Sequence, residues 1–323
     1  MKRFFAVLLI IIVMAALFCS CRSEGNETPL TVNSTPIDGE IFRYFLNEAW
    51  QDEALTTKEE RSTRATHLCI RYVAVNSTFE REGLLLSAAE RAQAYSQGNA
   101  LWRLFGDFYK SIGVSKESYL KIKISEQYTE KLRTAIFGEG GTQEISEGAL
   151  RGCLYENFAA FRLIKTPLKT TDVYGNERAY SEEELAALKA RYADEAAEIS
   201  SAAAMDAAYS SLAADSMADE GALETIVIDE NDHNYPAQFF RMIKQMEENS
   251  AELMEDGSYL YLIYRVNILS DAAIFTKYKD ECLRLLSEAP LQSIINEMCN
   301  GYTSHRSTQL VDEYYREVAR VKK

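Results

Sequence analysis

Apolar residues recur every three or four positions through the first half of the chain, which is the spacing of amphipathic helices. Each of these stretches follows a residue that can cap a helix N-terminus with its side chain. Thr57 and Ser87 are also followed three residues later by glutamate, the pattern of a capping box. The predicted helices begin at Asp38, Thr57, Ser87, Ser115 and Ser146. A short strand and turn are predicted before them, at residues 31–37.

β-prone residues appear in the second half of the chain. Residues 158–168 predict a strand that ends at Pro167, because proline is confined to strand ends and edges. Residues 259–268 contain no strand breaker and predict the clearest strand, and residues 223–228 predict a shorter one. Helices are predicted at residues 181–200, 202–217, 235–248, 272–286, 290–301 and 308–321. The predicted fold class is therefore α+β, mainly α, with a β-α-α-β-α-β order after residue 158.

The charge balance is acidic. The 323 residues include 49 Asp and Glu against 35 Lys and Arg, for a net charge of −14. Nucleic-acid binding requires a basic surface that displaces counterions from phosphates, and the sequence contains no basic stripe. Broad electrostatic binding to an anionic membrane surface is excluded for the same reason.

The N-terminus has the pattern of an export signal. Lys2 and Arg3 precede an uninterrupted apolar run at residues 4–18. This run is too short for a transmembrane helix and has the length of a signal-peptide core. A signal peptide is therefore predicted at residues 1–20.

Two cysteines follow the apolar run. The sequence Leu17–Cys21 resembles a bacterial lipobox, in which the mature chain starts at a lipid-modified cysteine. Cys21 is the predicted lipidation site because the preceding Ser20 is small, and Cys19 is the alternative. An ordinary secretory signal with incidental cysteines is also compatible with the pattern. Residues 21–31 would then form a flexible tether.

The spacing of the remaining cysteines and of the histidines favours neither a disulfide framework nor a metal site. An even number of cysteines permits two disulfides in three connectivities, but buried free thiols are the favoured interpretation because each lies in an apolar-periodic stretch. The histidines are too scattered for a zinc site, and His67 is predicted to be partly buried beside a helix face. No metal and no cofactor are predicted. These residues are Cys69, Cys153, Cys282, Cys299, His67, His233 and His305.

Three stretches, in order, resemble SurA/PrsA-type extracytoplasmic chaperones. Residues 32–46 resemble the opening of that family, with Ser34 where the family usually has glycine. Residues 112–120 resemble part of its helical chaperone domain, and residues 154–164 resemble the start of a parvulin-type prolyl isomerase module. The resemblance implies a helical SurA-N-like domain at 32–157, an inserted parvulin-like domain at 158–269, and C-terminal helices at 270–323 that pack on the helical domain.

The chain departs from active parvulins at the positions that matter for activity. Leu163 replaces the family's histidine on the first strand, and residues 259–263 lack the second histidine of the last strand. Residues 218–223 replace a glycine-rich segment. The resemblance therefore implies an isomerase-like domain without catalytic residues.

The expected function is that of a lipid-anchored extracytoplasmic chaperone that binds unfolded exported polypeptides. Phe161, Tyr259 and Tyr261 are the predicted substrate contacts. One alternative is an active peptidyl-prolyl isomerase that uses Tyr174, His233 or Tyr261. Another is a ligand-binding lipoprotein, although the helical first half lacks the repeated β-α-β units that such a receptor needs.

Overall fold

A computed structural model describes residues 28–171, 174–212, 224–236 and 238–322. The predicted signal peptide, Cys19 and Cys21 lie outside the described residues. The chain forms two compact units. Unit 1 comprises the described part of Met1–Thr142 together with Glu288–Lys323, and unit 2 comprises Gln143–Ser287. The chaperone and parvulin-like domain assignments stay predictions.

Unit 1 contains a small antiparallel sheet and long helices. Its sheet has the strand order β2-β1-β9. The strands are β1 (Leu30–Val32), β2 (Thr35–Ile37) and β9 (Ser304–Arg306). The helices are α1 (Gly39–Trp50), α2 (Lys58–Arg81), α3 (Ala88–Ser111), α4 (Lys116–Phe137), the part of α9 (Ala272–Asn300) from Glu288 onward, and α10 (Thr308–Lys322). None of the helices in the described ranges has the length and apolar character required to cross a membrane.

The predicted helix caps are confirmed. The side chain of Asp38 accepts a hydrogen bond from the Glu40 backbone N–H at 2.8 Å. Thr57 and Ser87 each form a complete capping box with the glutamate three residues later. These bonds satisfy backbone donors that have no partner inside the helix, which is why the local sequence alone could locate the helix starts.

A two-residue turn joins β1 to β2. Asn33 and Ser34 have φ values of 45° and 72°, so both occupy the left-handed region. Such turns favour glycine because a Cβ atom is strained there. The backbone conformation at Ser34 is therefore one that glycine adopts with less strain.

The core of unit 1 joins residues from both ends of the chain. The buried face of α1 contacts α2, α4 and α10, and β1 is completely buried at Leu30 and Val32. The Arg43 guanidinium lies 3.7 Å from the centre of the Tyr314 ring and donates to Glu317 at 2.7 Å. The main members are Leu30, Val32, Phe42, Leu46, Cys69, Val73, Tyr119, Ile122, Val311, Tyr314 and Val318.

Unit 2 is built on a four-stranded antiparallel sheet with the order β6-β3-β8-β7. These strands are β3 (Ala159–Pro167), β6 (Ile226–Ile228), β7 (Ala251–Glu255) and β8 (Tyr259–Val266). A separate hairpin pairs β4 (Lys169–Thr171) with β5 (Glu177–Ala179). The helices are α5 (Glu147–Asn157), α6 (Glu182–Glu198), α7 (Ala202–Leu212), α8 (Phe239–Gln245) and α9 up to Ser287.

Both faces of this sheet are covered by apolar clusters. Alternate strand residues point to opposite faces. On one face, Ile164 and Leu262 pack against Tyr192 of α6 and residues of α7. On the other face, Phe161 and Ile263 pack in one cluster with Phe239 and Ile243 of α8. Met246, the residue after α8, belongs to the same cluster. We call this second set, completed by Ala159, Ile228 and Tyr261, the α8-side cluster.

Several local predictions were wrong. The β4–β5 hairpin after Pro167 was not predicted, and neither were β7 and β9. Short strands depend on hydrogen-bond partners in other strands, so a local pattern indicates them poorly. The helix predicted at residues 235–248 is restricted to Phe239–Gln245. The break predicted before Pro290 is absent, since α9 continues through this residue although an interior proline removes one helical hydrogen bond and crowds the carbonyl four residues earlier. His67 is exposed rather than partly buried.

Candidate functional site

The centre of the unit 2 sheet contains Leu163, the residue that was predicted to replace a parvulin histidine. Leu163 on β3 pairs directly with Ile263 on β8. Ile263 is fully buried, and the half-buried Leu163 packs against the α8-side cluster. The apolar replacement predicted at Leu163 is thus accompanied by an apolar partner on the neighbouring strand.

The polar groups of Tyr261, Asp256 and Lys165, which lie near these two residues, have partners. The Tyr261 hydroxyl donates to Asp256 Oδ2 at 2.6 Å, and Asp256 Oδ1 accepts from the backbone N–H groups of Ser258 and Tyr259 at 3.0 and 2.9 Å. Burial, reinforced by the contact with Asp256, raises the pKa of Tyr261 far above its usual range. Lys165 Nζ lies 3.8 Å from the centre of the Tyr259 ring.

These contacts form a filled apolar layer around Leu163 and Ile263. Phe239 makes edge-to-face contacts with Phe161 and Tyr261, at centroid distances of 6.0 and 5.0 Å. A twisted proline amide requires a polar, shaped pocket that stabilises its altered charge distribution. Within the described part of unit 2, Leu163 and Ile263 lie in a packed apolar layer rather than in such a pocket.

The three predicted substrate contacts differ in their accessibility. Phe161 is fully buried, Tyr261 is 4% exposed, and Tyr259 is half-buried. The burial of Phe161 and Tyr261 gives both residues a packing role. Substrate binding by the three residues stays a prediction, and Tyr259 is the most accessible of them. Tyr174 and His233, named for the alternative isomerase, are both exposed.

Unit 1 carries an exposed apolar surface on α3. Leu101, Leu104 and Phe105 are 38%, 74% and 51% exposed. Residues three and four positions apart in a helix are surface neighbours, so these side chains form one patch, which we call the α3 patch. Exposed apolar groups that are contiguous mark interaction surfaces more often than single ones do. The α3 patch is the strongest candidate for polypeptide binding among the described residues.

The way α3 packs explains why these large side chains remain exposed. The buried positions of α3 are the small residues Ala94, Gly98 and Gly106. A Cβ atom at Gly98 would lie 2.7 Å from Leu120 Cδ2, so glycine permits the close approach of α3 to α4. Small residues therefore fill the closest part of the helix contact, and Leu101, Leu104 and Phe105 lie outside it.

Sequence reasoning missed the α3 patch, although a signal was present. The stretch that follows Ser87 was predicted as an amphipathic helix, and it includes residues 99–112. Apolar side chains in that stretch are too numerous for one helix face, since Leu101, Trp102, Leu104 and Phe105 fall within five positions. An apolar sector wider than one face indicates either a second buried contact or an exposed surface, and only the tertiary structure distinguishes these outcomes.

A cleft of about 430 Å³ lies in the same unit, lined by residues of α2, α3 and α4. Tyr72, Tyr95 and Tyr128 contribute aromatic walls, and Leu120 and Ile124 contribute aliphatic ones. Tyrosine offers large, adaptable contact area with a polar end, which suits the binding of varied polypeptides. Tyr95 is 47% exposed and lies on α3, the helix that carries the α3 patch.

Glu90 holds α3 in position. One carboxylate oxygen accepts from the Ser87 backbone at 2.6 Å to complete the capping box, and the other accepts from Lys131 Nζ of α4 at 2.8 Å. The contact with Lys131 and the bonds from Ser87 lower the pKa of Glu90 to about 2. A carboxyl with a lowered pKa in the folded state stabilises the fold above its unfolded pKa, and this contribution is lost as pH falls through the folded value.

We expect Glu90→Gln to destabilise the protein by about 1 kcal/mol at neutral pH, because Glu90 is one-third exposed and its ion pair is partly screened. The difference from the wild type should shrink as the pH falls from 4.5 toward 2. Urea unfolding at a series of pH values measures it. Asp107→Asn is the control, since its ion pair with Lys110 is fully exposed on the carboxylate side. A difference that does not change with pH would contradict this assignment.

Metal ligation has no candidate among the residues that the structure describes. No three His, Cys, Asp or Glu side chains within those ranges are close enough to hold an ion together. His67, His233 and His305 are all exposed and lie on separate elements or loops. The predicted lack of a metal and of a cofactor stays a prediction.

Comparison with known proteins gives limited information. The chain matches no protein-family model and no curated protein. Among solved structures it is similar to the foldase protein PrsA from Streptococcus pneumoniae (11% identity, 79% of this chain and 82% of that chain covered, TM-score 0.32). It is also similar to the foldase protein PrsA from Lactococcus lactis (10% identity, 90% and 99% covered, TM-score 0.37) and to PrsA from Bacillus subtilis (11%, 91% and 92%, TM-score 0.24).

Proposed function

We propose that this protein is a lipid-anchored extracytoplasmic chaperone that binds unfolded exported polypeptides through unit 1, without prolyl isomerase activity. The observation that carries the proposal is the α3 patch, a contiguous apolar surface exposed on a helical unit. The three sequence stretches that resemble SurA/PrsA-type chaperones support it. The signal-like N-terminus, with Cys21 as the lipidation site, supports membrane anchoring.

The physical basis for binding is the apolar area that a client would cover. Complete burial of a Leu or Phe side chain contributes about 1.5–3 kcal/mol. Leu104 and Phe105 are half to three-quarters exposed, so each offers a substantial part of that free energy. Contacts of this kind are not directional, and they therefore suit many client sequences. Immobilisation of the client reduces the net affinity, which favours reversible capture.

We expect the double variant Leu104→Ser/Phe105→Ser to lose roughly tenfold or more of its affinity for an unfolded client. Its folding stability should change little, because both side chains are exposed. The measurement is suppression of light scattering by a reduced, aggregating client as the chaperone concentration is varied.

Leu285→Ser is the matched control, since Leu285 is 51% exposed but lies in unit 2. It should suppress aggregation as well as the wild type does. A wild-type protein that fails to suppress aggregation at stoichiometric excess would exclude the chaperone function. Equal loss in both variants would exclude the α3 patch as the binding surface.

The absence of isomerase activity is proposed from the packing around Leu163. Its β8 partner is the buried Ile263, and Tyr261 is engaged with Asp256. We expect no acceleration of cis–trans isomerisation in a protease-coupled assay with a proline peptide. Acceleration that His233→Ala or Tyr261→Phe abolishes would contradict this and establish the alternative enzyme.

A further inference from the structure

Cys153 and Cys282 are brought together inside unit 2, although they are 129 positions apart in sequence. Cys153 lies on α5 and Cys282 on the part of α9 that belongs to unit 2. Cys153 Sγ lies 3.9 Å from the Cys282 carbonyl oxygen, to which the thiol donates a hydrogen bond. Both residues are buried, with exposures of 4% and 0%.

The surrounding contacts fix the two helices at this point. The Phe158 and Tyr278 rings lie 5.2 Å apart between centroids. The Arg151 guanidinium lies 4.2 Å from the centre of the Phe275 ring. Arg151 and Phe158 lie on either side of Cys153, and their partners Phe275 and Tyr278 precede Cys282 on α9. The packing of the two helices therefore brings the two cysteines together.

The other two cysteines differ from this pair. Cys69 and Cys299 both belong to unit 1, and Cys69 is fully buried while Cys299 is half-buried. Burial raises the pKa of both thiols, and the Arg71 guanidinium opposes this rise at Cys299. The structure therefore distinguishes one pair among the connectivities that the sequence left open.

We propose that Cys153 and Cys282 are a disulfide site, which a small-molecule disulfide of the glutathione type oxidises. One protein thiolate attacks a sulfur of the reagent, RSSR, and releases RS⁻. The second protein thiolate attacks the protein sulfur of the mixed disulfide and releases another RS⁻. Two protein thiols are oxidised, RSSR is reduced to two RSH, and these take up the two protons that the protein thiols lost.

The environment determines when this reaction occurs. Burial, with the neighbouring Cys153 thiol, raises the pKa of Cys282 to about 12. Because only the thiolate reacts, the folded protein exchanges slowly at neutral pH. In the unfolded chain neither thiol is buried, so oxidation accompanies folding, and the native packing of α5 on α9 selects the partner.

The bond would stabilise unit 2 because it joins the beginning of this unit to its end. Residues 153–282 contain every strand of the four-stranded sheet. A cross-link across a loop of this length restricts the unfolded chain strongly and leaves the native contacts in place. The inference rests on the geometry of unit 2 and does not depend on the proposed chaperone function.

The test is oxidative refolding of the full chain with a mixture of reduced and oxidised glutathione, followed by alkylation and peptide mass mapping. We expect a cross-linked pair of peptides that contains Cys153 and Cys282, with a mass lower by two hydrogens. The urea midpoint should shift to higher urea, and dithiothreitol should reverse the shift. Cys299→Ser is the control and should leave both results unchanged.

Either Cys153→Ser or Cys282→Ser should abolish the shift of the urea midpoint that oxidation causes in the wild type. Mass mapping of the wild type decides the question if these variants fold poorly. The inference is overturned if both cysteines remain alkylatable after oxidative refolding. It is also overturned if either is found bonded to another cysteine in the predominant product.

Discussion

Phe161→Ala is expected to reduce the free energy of unfolding by about 3–5 kcal/mol, the usual cost of removing a buried aromatic side chain. Phe161 is fully buried in the α8-side cluster. Its ring makes edge contacts with Tyr235 and Phe239, at centroid distances of 5.4 and 6.0 Å. Truncation would leave a cavity between β3 and α8 that these rings could fill only in part.

This loss should be measured in unit 2 itself. Both tryptophans, Trp50 and Trp102, belong to unit 1, so tryptophan fluorescence does not report on β3. Native-state hydrogen exchange of the β3 and β8 amides, supported by far-ultraviolet circular dichroism in urea, is suitable. Phe105→Ala is the matched control, because its 51% exposure predicts a change within about 0.5 kcal/mol. A loss below about 1 kcal/mol for Phe161→Ala would show that the α8-side cluster is not closely packed.

Phe42→Ala is expected to cost about 3–5 kcal/mol in unit 1. Phe42 is fully buried on α1, and its ring lies 6.4 Å from that of Tyr314 on α10. The residue therefore connects elements from the two ends of the chain. Its truncation should weaken α10 and the β1–β9 pairing as well as α1.

Tryptophan fluorescence during urea unfolding is the direct measurement here. Trp50 ends α1, and Trp102 stacks near Tyr109 and Tyr119 in the same core. The expected result is a lower urea midpoint for this signal, with Phe105→Ala again as the control. An unchanged midpoint would contradict the packing of α1 against α10.

The core variants and the α3 patch variants separate stability from binding. Phe42→Ala should impair aggregation suppression only where it unfolds unit 1. Leu104→Ser/Phe105→Ser should impair it in a folded protein, since neither side chain belongs to the core. If the proposed function is correct, activity will follow the exposed residues at temperatures where all the variants remain folded.

Much of the secondary structure could be predicted because its determinants are local. Thr57, Ser87 and Ser115 cap the helices that they were predicted to start. The strand around Phe161 and the strand that begins at Tyr259 occupy nearly the predicted ranges. Their direct pairing, with Leu163 opposite Ile263, was not encoded in any local pattern and follows from the sheet register.

The candidate sites could not be predicted in this way, because they depend on which side chains are buried. Phe161 and Tyr261 were predicted to contact substrate because they are aromatic residues on strands, but burial decides whether an aromatic side chain can meet a ligand. The exposed Leu104 and Phe105 were not singled out for binding, since periodicity identifies apolar residues without showing which of them find a partner. The sequence likewise could not show which cysteines are neighbours, because Cys153 and Cys282 meet only through the packing of α5 on α9.

The sequence by itself determined the positions of most helices, the two main strands, the acidic surface charge and the apolar identity of position 163. These properties depend on residues within a few positions of one another, through capping bonds and periodicity. The tertiary structure alone decided that Leu163 faces Ile263, that the α3 patch is exposed, and that Cys153 meets Cys282. Each of these depends on contacts between residues far apart in the chain, and burial and pairing are properties of such contacts.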